Sequence, residues 1–239
     1  MKLKTILPFS LILLIAFGAL GFFSKPADHK IISYTVDAEK VNIEFYWKDK
    51  AGRPFRNIQT LKSQLEKDGK KLKFAMNGGM FMADNVPLGL FIQNGKIIRP
   101  INTKSGEGNF YLKPNGIFLI GKDNKAHIIE TGKMLEMKNI RFATQSGPML
   151  VIDGKIHSAF MEKSTNLYIR NGVGILPDGR AVFAISRKEI NFYEFAKFFQ
   201  DLGCKNALYM DGFVSRMYCP QENVFQKDGD FGVIIGEWN

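Results

Sequence analysis

The sequence predicts an α+β (mixed α/β) fold: a single compact domain with a large mixed, mostly antiparallel sheet and two or three helices, after an N-terminal signal or anchor segment. Three observations carry this. Period-two apolar alternation recurs along the chain, as at Val41, Ile43, Phe45 and Trp47. Turn dipeptides fall at Asn94-Gly95, Asn115-Gly116, Asp153-Gly154 and Asp178-Gly179, the chemistry of tight hairpins between antiparallel strands. The chain has 239 residues, 45% hydrophobic and 23% charged. That composition suits one packed core and excludes a disordered tail, a collagen-like fibre and a polytopic membrane protein.

The elements follow in order. Lys2 and Lys4 precede an uncharged stretch, Thr5 to Phe23, rich in Leu, Ile, Phe and Ala. A basic start followed by an apolar run reads as a secretory signal, with Ala19-Leu20-Gly21 offering small residues for cleavage. The run is also long enough to cross a bilayer as a helix, so residues 1–24 are a signal peptide or a membrane anchor acting through residues 5–23. Either reading exports residues 25–239. Ile31–Val36 and Val41–Trp47 read as strands. Asn57–Lys67 carries Ile58, Leu61 and Leu65 at helical spacing, with Asn57 placed as N-cap. Lys71–Met76 is a strand running into Asn77-Gly78-Gly79. Phe192, Phe195, Ala196, Phe199 and Leu202 form one helical stripe that Gly203 is placed to end. Ala207–Met210 is a short buried strand ending at Asp211-Gly212, and Phe231–Ile235 is the last strand. Most of the 21 Phe residues fall at core positions of these elements. Phe81, Phe91 and Phe213 lie near Gly-rich loops and are candidates to line a sugar site.

Several chemistries drop out. There is no GxxxxGK[ST], no strand-linked GxGxxG, no GxSxG elbow and no HExxH. Two Cys and three scattered His do not make a zinc site, so no metal or cofactor is expected. Cys204 and Cys219 are either bonded or two buried thiols. Lys plus Arg total 33 against 23 Asp plus Glu, a net charge of +10. The basic residues are dispersed, and with export added, nucleic acid is not the expected partner.

Four polar clusters at strand ends remain. Asn77-Gly78-Gly79-Met80-Phe81 is either a tight turn or a nest of backbone N–H groups for an anion. Thr144-Gln145-Ser146-Gly147-Pro148-Met149-Leu150 enters a hairpin strand. Ile169-Arg170-Asn171-Gly172-Val173-Gly174 presents an Arg either as a surface residue or as a bidentate clamp on phosphate or carboxylate. In Tyr209-Met210-Asp211-Gly212-Phe213-Val214-Ser215, a carboxylate ends a buried strand, as a functional group or as an Asx-turn cap.

Taken in order, Asn-Gly-Gly-Met-Phe at 77–81, Gln-Ser-Gly-Pro-Met-Leu at 145–150, Arg-Asn-Gly-Val-Gly at 170–174 and Ala-Leu-Tyr-Met-Asp-Gly at 207–212 resemble the phosphodiester glycosidase domain, the family of the mannose-6-phosphate uncovering enzyme. The resemblance spans essentially all of residues 25–239 and is greatest to its bacterial exported branch. It implies hydrolysis of a sugar joined through its anomeric carbon to a phosphodiester, leaving a phosphomonoester on a phosphate-linked glycan. It implies Asp211, Arg170 and Asn77 as catalytic residues, and Gly78, Gly79, Gly212 and Ser215 as substrate-binding ones, beside which Phe81 and Ser146 stand as further substrate-binding candidates from their own segments. In that scheme Arg170 and the Asn77-Gly78-Gly79 amides receive the departing phosphate, and Asp211 activates water. Phe213 departs from the family's usual Asp-Gly-Gly. Two other readings stand beside this one: a non-catalytic envelope glycan-binding protein, and a phosphodiesterase acting on a teichoic-acid-like polymer.

Overall fold

A computed structural model describes residues 30–134, 136, 138–211 and 213–239. The signal or anchor segment 1–24 and Gly212 lie outside the described residues. In chain order the elements are β1 (Ile31–Val36), β2 (Asn42–Tyr46), α1 (Ile58–Lys67), β3 (Leu72–Asn77), β4 (Phe81–Met82), β5 (Val86–Pro87), β6 (Phe91–Gln93), β7 (Lys96–Arg99), β8 (Gly116–Gly121), β9 (Ala126–Glu130), β10 (Ile140–Ser146), β11 (Met149–Ile152), β12 (Lys155–Ile156), β13 (Asn171–Ile175), β14 (Ala181–Ser186), α2 (Phe192–Asp201), β15 (Ala207–Tyr209), β16 (Met217–Cys219), β17 (Val224–Phe225) and β18 (Ile234–Trp238). The α+β class holds, but the expected large sheet is divided. One six-stranded sheet runs β1-β14-β13-β15-β11-β12, and two five-stranded sheets run β7-β6-β10-β8-β9 and β17-β16-β3-β18-β2. Every paired strand is antiparallel, as short connections dictate.

The three sheets meet on a cluster of phenylalanines. Phe183 comes from the first sheet, Phe118 and Phe142 from the second, and Phe45 and Phe74 from the third. Phe45 lies 5.4 Å from Phe118, Phe74 lies 5.0 Å from Phe183, and Phe118 meets Phe183 edge-on at 5.6 Å. Such ring pairs add about 0.5–1.5 kcal/mol each beyond the area they bury. Phe91 belongs to this core and is fully buried, so it does not line a sugar site.

Both helices form where the apolar spacing placed them. Asn57 caps α1 by accepting the Thr60 N–H at 2.8 Å, and Asn191 caps α2 by accepting that of Glu194 at 2.8 Å. α2 lays Phe195, Ala196 and Phe199 on the outer face of the six-stranded sheet. Leu202 falls outside this stripe, at the helix C-cap, and is exposed. The close seat of α2 explains the Gly-x-Gly of β13. A Cβ on Gly174 would stand 2.6 Å from the Phe199 ring and 2.7 Å from Cys204 Sγ, and one on Gly172 would stand 2.8 Å from the Leu208 carbonyl oxygen. These glycines admit a helix rather than an anion.

Two boundaries differ from expectation. Asn115-Gly116 is not a hairpin turn: Asn115 is buried, donates to the Phe110 carbonyl at 2.8 Å, and Gly116 opens β8. The last strand begins at Ile234 rather than Phe231 and runs on through Gly236 and Glu237. Glu237 looks like a strand terminator, yet it is buried and accepts the Tyr34 hydroxyl at 3.1 Å. Cys204 and Cys219 are free, buried thiols in separate clusters, Cys204 under α2 and Cys219 in the central core. Burial pushes both up to about 11. Among the described residues no helix is long and apolar enough to cross a membrane.

Candidate active site

The strand registers bring the four polar clusters to one end of the molecule. Gly172 in β13 pairs with Tyr209 in β15, so Asn171 lies beside the Met210-Asp211 exit. Met149 pairs with Leu208, which places Ser146 at the same end. Met76 in β3 pairs with Met217 in β16, which brings Asn77 against Ser215 and Arg216.

Here four side-chain bonds hold the Met210-Asp211 backbone. Ser146 Oγ donates to the Met210 carbonyl at 2.6 Å. Asn171 Oδ1 accepts the Asp211 N–H at 2.9 Å. The Asp211 carbonyl accepts from Asn77 Nδ2 at 3.1 Å and from Ser215 Oγ at 3.0 Å. Asn171 Nδ2 in turn donates to Asn77 Oδ1 at 2.9 Å, and that same oxygen accepts the Arg216 N–H at 2.9 Å. Asn77, Asn171 and Ser146 are wholly buried and Ser215 nearly so. Each finds its partners, as buried polar groups must. The backbone of Asp211 is thus fixed on both sides of its Cα. Among the described residues its carboxylate accepts only the Phe213 N–H, at 3.3 Å. Burial pushes that carboxyl up to about 6, the Phe213 N–H offsetting it only slightly.

Arg170 takes a different place from the one its strand-edge position suggested. It is wholly buried. Nε donates to the Ile190 carbonyl at 2.8 Å, and Nη2 to the Asn166 carbonyl at 2.8 Å and to Asn166 Oδ1 at 2.7 Å. The guanidinium lies 3.6 Å over the Phe192 ring, with Tyr168 and Tyr209 each at 5.7 Å. No carboxylate of the described residues pairs with it, and burial draws its pKa below the ordinary arginine value. A desolvated cation held by rings and carbonyls fastens the 160s loop and the start of α2 beside Tyr209, two residues before Asp211.

Of the Asn77-Gly78-Gly79 amides, that of Gly78 is not open to an anion. The Gly78 N–H donates to the Val233 carbonyl at 2.8 Å, and its carbonyl accepts Thr144 Oγ1 at 2.8 Å. Gly78 is required because a Cβ would meet Ile235 at 2.6 Å; Gly79 has φ +153 and lies against Thr144. Phe81 is half-buried, its Cβ close above Gly232. Phe213 projects into solvent, 90% exposed. Sequence reasoning quoted Asn171 inside its motif without giving it a role. An Asn opening an otherwise apolar strand was the available signal.

A groove of about 370 Å³ adjoins this network, lined by Ser215, Arg216, Ile169, Arg187 and Phe225. A larger cavity, about 690 Å³, lies at the other end of the six-stranded sheet, among Asp37, Lys125, Asp178 and Arg180. No three His, Cys, Asp or Glu side chains converge among the described residues.

The family model described as phosphodiester glycosidase matches residues 70–233, a span that contains all four clusters. The chain is 36% identical over 213 residues to the Escherichia coli (strain K12) protein named "Uncharacterized protein YigE", covering 85% of this chain and 83% of that one. The catalytic domain of zebrafish N-acetylglucosamine-1-phosphodiester alpha-N-acetylglucosaminidase, auto-inhibited by its pro-peptide, has the same fold, with TM-score 0.61, 15% identity and coverage of 89% and 85% of the two chains. A hypothetical protein from Synechocystis follows at TM-score 0.55 and 12% identity, with 87% of this chain and 59% of that one covered. That family model spans well over half of the 239 residues, and the chain belongs to the phosphodiester glycosidase family.

Proposed function

We propose that the protein is an exported hydrolase that cleaves a sugar from a glycosyl-1-phosphodiester and leaves a phosphomonoester. The observation that carries this is Asp211: a carboxyl group pushed up to about 6 by burial, on a backbone clamped at both N–H and C=O. Above that pH the carboxylate takes a proton from a water molecule whose oxygen bonds to the anomeric carbon. The bond from that carbon to the phosphate oxygen breaks, and its electron pair leaves with the phosphomonoester. Phosphate departs readily and needs little protonation, so one carboxyl group suffices where ordinary glycosidases use two.

Asn77, Ser146, Asn171 and Ser215 act here as positioning residues that aim Asp211. Arg170, with three donor bonds to Ile190 and Asn166, shapes the wall formed by Tyr168, Phe192 and Tyr209 and lends it positive charge. The partner is a phosphate-linked glycan. Non-catalytic glycan binding is favoured by one feature, the solvent-facing Phe213 ring where the family carries Gly.

The test is Asp211→Asn on purified protein with a sugar-1-phosphodiester, scored by release of free sugar and phosphomonoester. A loss of about 10²- to 10⁴-fold is expected, with wild-type turnover rising as pH passes through about 6. Full retained turnover overturns the assignment. Tight binding without turnover, unchanged by Asp211→Asn, selects the binding protein, and a product retaining sugar on phosphate selects a phosphodiesterase.

A further inference from the structure

The end of the molecule that carries Asp211 is also the end at which the described chain begins. Ile31 pairs with Ser186, and the Lys30 carbonyl accepts the Arg187 N–H at 2.8 Å, on the edge of the sheet whose β13 and β15 deliver Asn171 and Asp211. Upstream, residues 5–23 carry no charge, and only residues 24–29 separate them from Lys30. Fully extended, that link reaches on the order of 25 Å.

The same end gathers exposed apolar side chains. Phe213 is 90% exposed, Met161 70%, Phe225 58%, Tyr168 47% and Leu167 45%. They lie on the segments that lead into β13, follow Asp211 and edge the groove beside Ser215. Ion pairs stand at both ends, Arg216 with Asp228 and Lys30 with Glu194 here, Asp178 with Arg180 and Asp37 with Lys40 at the opposite end of this sheet, so what sets this end apart is its apolar side chains. Scattered apolar side chains need no explanation, but a concentration at one end marks a contact surface. Arg187 is exposed beside the chain entry, and the net charge of +10 favours an anionic partner.

We infer that this end rests on an anionic lipid bilayer, with Phe213 and its neighbours at the headgroup level, and that the substrate is a glycosyl phosphodiester embedded in that bilayer. The substrate clause rests on the catalytic reading above; the orientation does not. Residues 5–23 tether the domain, and the aromatic and aliphatic side chains set which face it presents, two weak signals acting together.

The experiment uses the full chain reconstituted in phosphatidylethanolamine–phosphatidylglycerol vesicles with brominated acyl chains. Tryptophan is introduced as Phe213→Trp or, at the far end, Leu202→Trp, and the wild-type signal is subtracted. At least twofold stronger quenching at 213 than at 202 is expected, and equal quenching overturns the orientation. The wild-type chain is also given a vesicle-embedded glycosyl phosphodiester and a water-soluble short-chain analogue. A preference of tenfold or more for the embedded one is expected, and equal rates overturn the substrate class. Quenching at 213 with turnover of neither substrate overturns the catalytic reading and leaves the orientation standing.

Discussion

The two ends of the six-stranded sheet are made of the same strands and do opposite things with polarity. At one end Asn77, Asn171, Ser146 and Ser215 are buried and bond one another or the Met210-Asp211 backbone. At the other, Asp178, Arg180, Asp37 and Lys40 stay at the surface in ion pairs around the larger cavity. Buried polar groups are expensive unless every partner is supplied, whereas exposed ion pairs cost and contribute little. The buried polar groups thus lie beside the smaller groove rather than the larger cavity.

Substitutions sharpen the contrast. Asn171→Ala has the largest expected effect on stability. It removes the acceptor for the Asp211 N–H and the donor to Asn77, so roughly 3 kcal/mol or more should be lost in denaturant unfolding, with turnover falling as Asp211 loses its aim. Asp211→Asn should move stability the other way. A carboxyl whose folded value is raised to about 6 from 3.8 favours the fold fully below the unfolded value and loses that contribution as pH rises through about 6. At pH 7 the charged form thus costs about 3 kcal/mol, and the amide, free of that charge, should raise the midpoint while turnover collapses. A variant that loses activity and stability together would show that the site is not held under such tension.

Gly174→Ala tests packing on the α2 face. The new methyl meets Phe199 and Cys204, and about 1–3 kcal/mol should be lost without a change in the pH profile. Arg180→Ala, at the far end, should shift stability by no more than about 0.5 kcal/mol and leave turnover unchanged. An equal effect from Arg180→Ala and Asn171→Ala would erase the distinction between the ends.

Much of the fold was legible because local chemistry dictated it. Both helices announced themselves by spacing, the first also by its Asn57 cap, and three of four turn dipeptides made hairpins. The site was legible only as a set of segments. That Asn77 would bond Asn171 depends on the register of strands 94 residues apart in sequence, which no local pattern encodes. Gly172 and Gly174 carry no sign of what they admit, because a glycine that admits a ligand and one that admits a helix read alike until the helix is seen. Arg170 misled for a related reason: its flanking Ile169 and Asn171 gave no hint that α2 would cover it with Phe192. The apolar run 5–23 lies outside the described residues, so its reading as signal or anchor rests on composition.

The two thiols set a condition on how the chain is made. In the folded protein Cys204 and Cys219 sit in different clusters and ionise only near 11, beyond the reach of oxidants that attack thiolate. In the unfolded chain they are 15 positions apart, a short loop that closes readily. A crosslink made then would join side chains that the native packing keeps in separate clusters. In an oxidising compartment, folding is therefore a race against oxidation, and burial of the thiols is what ends it.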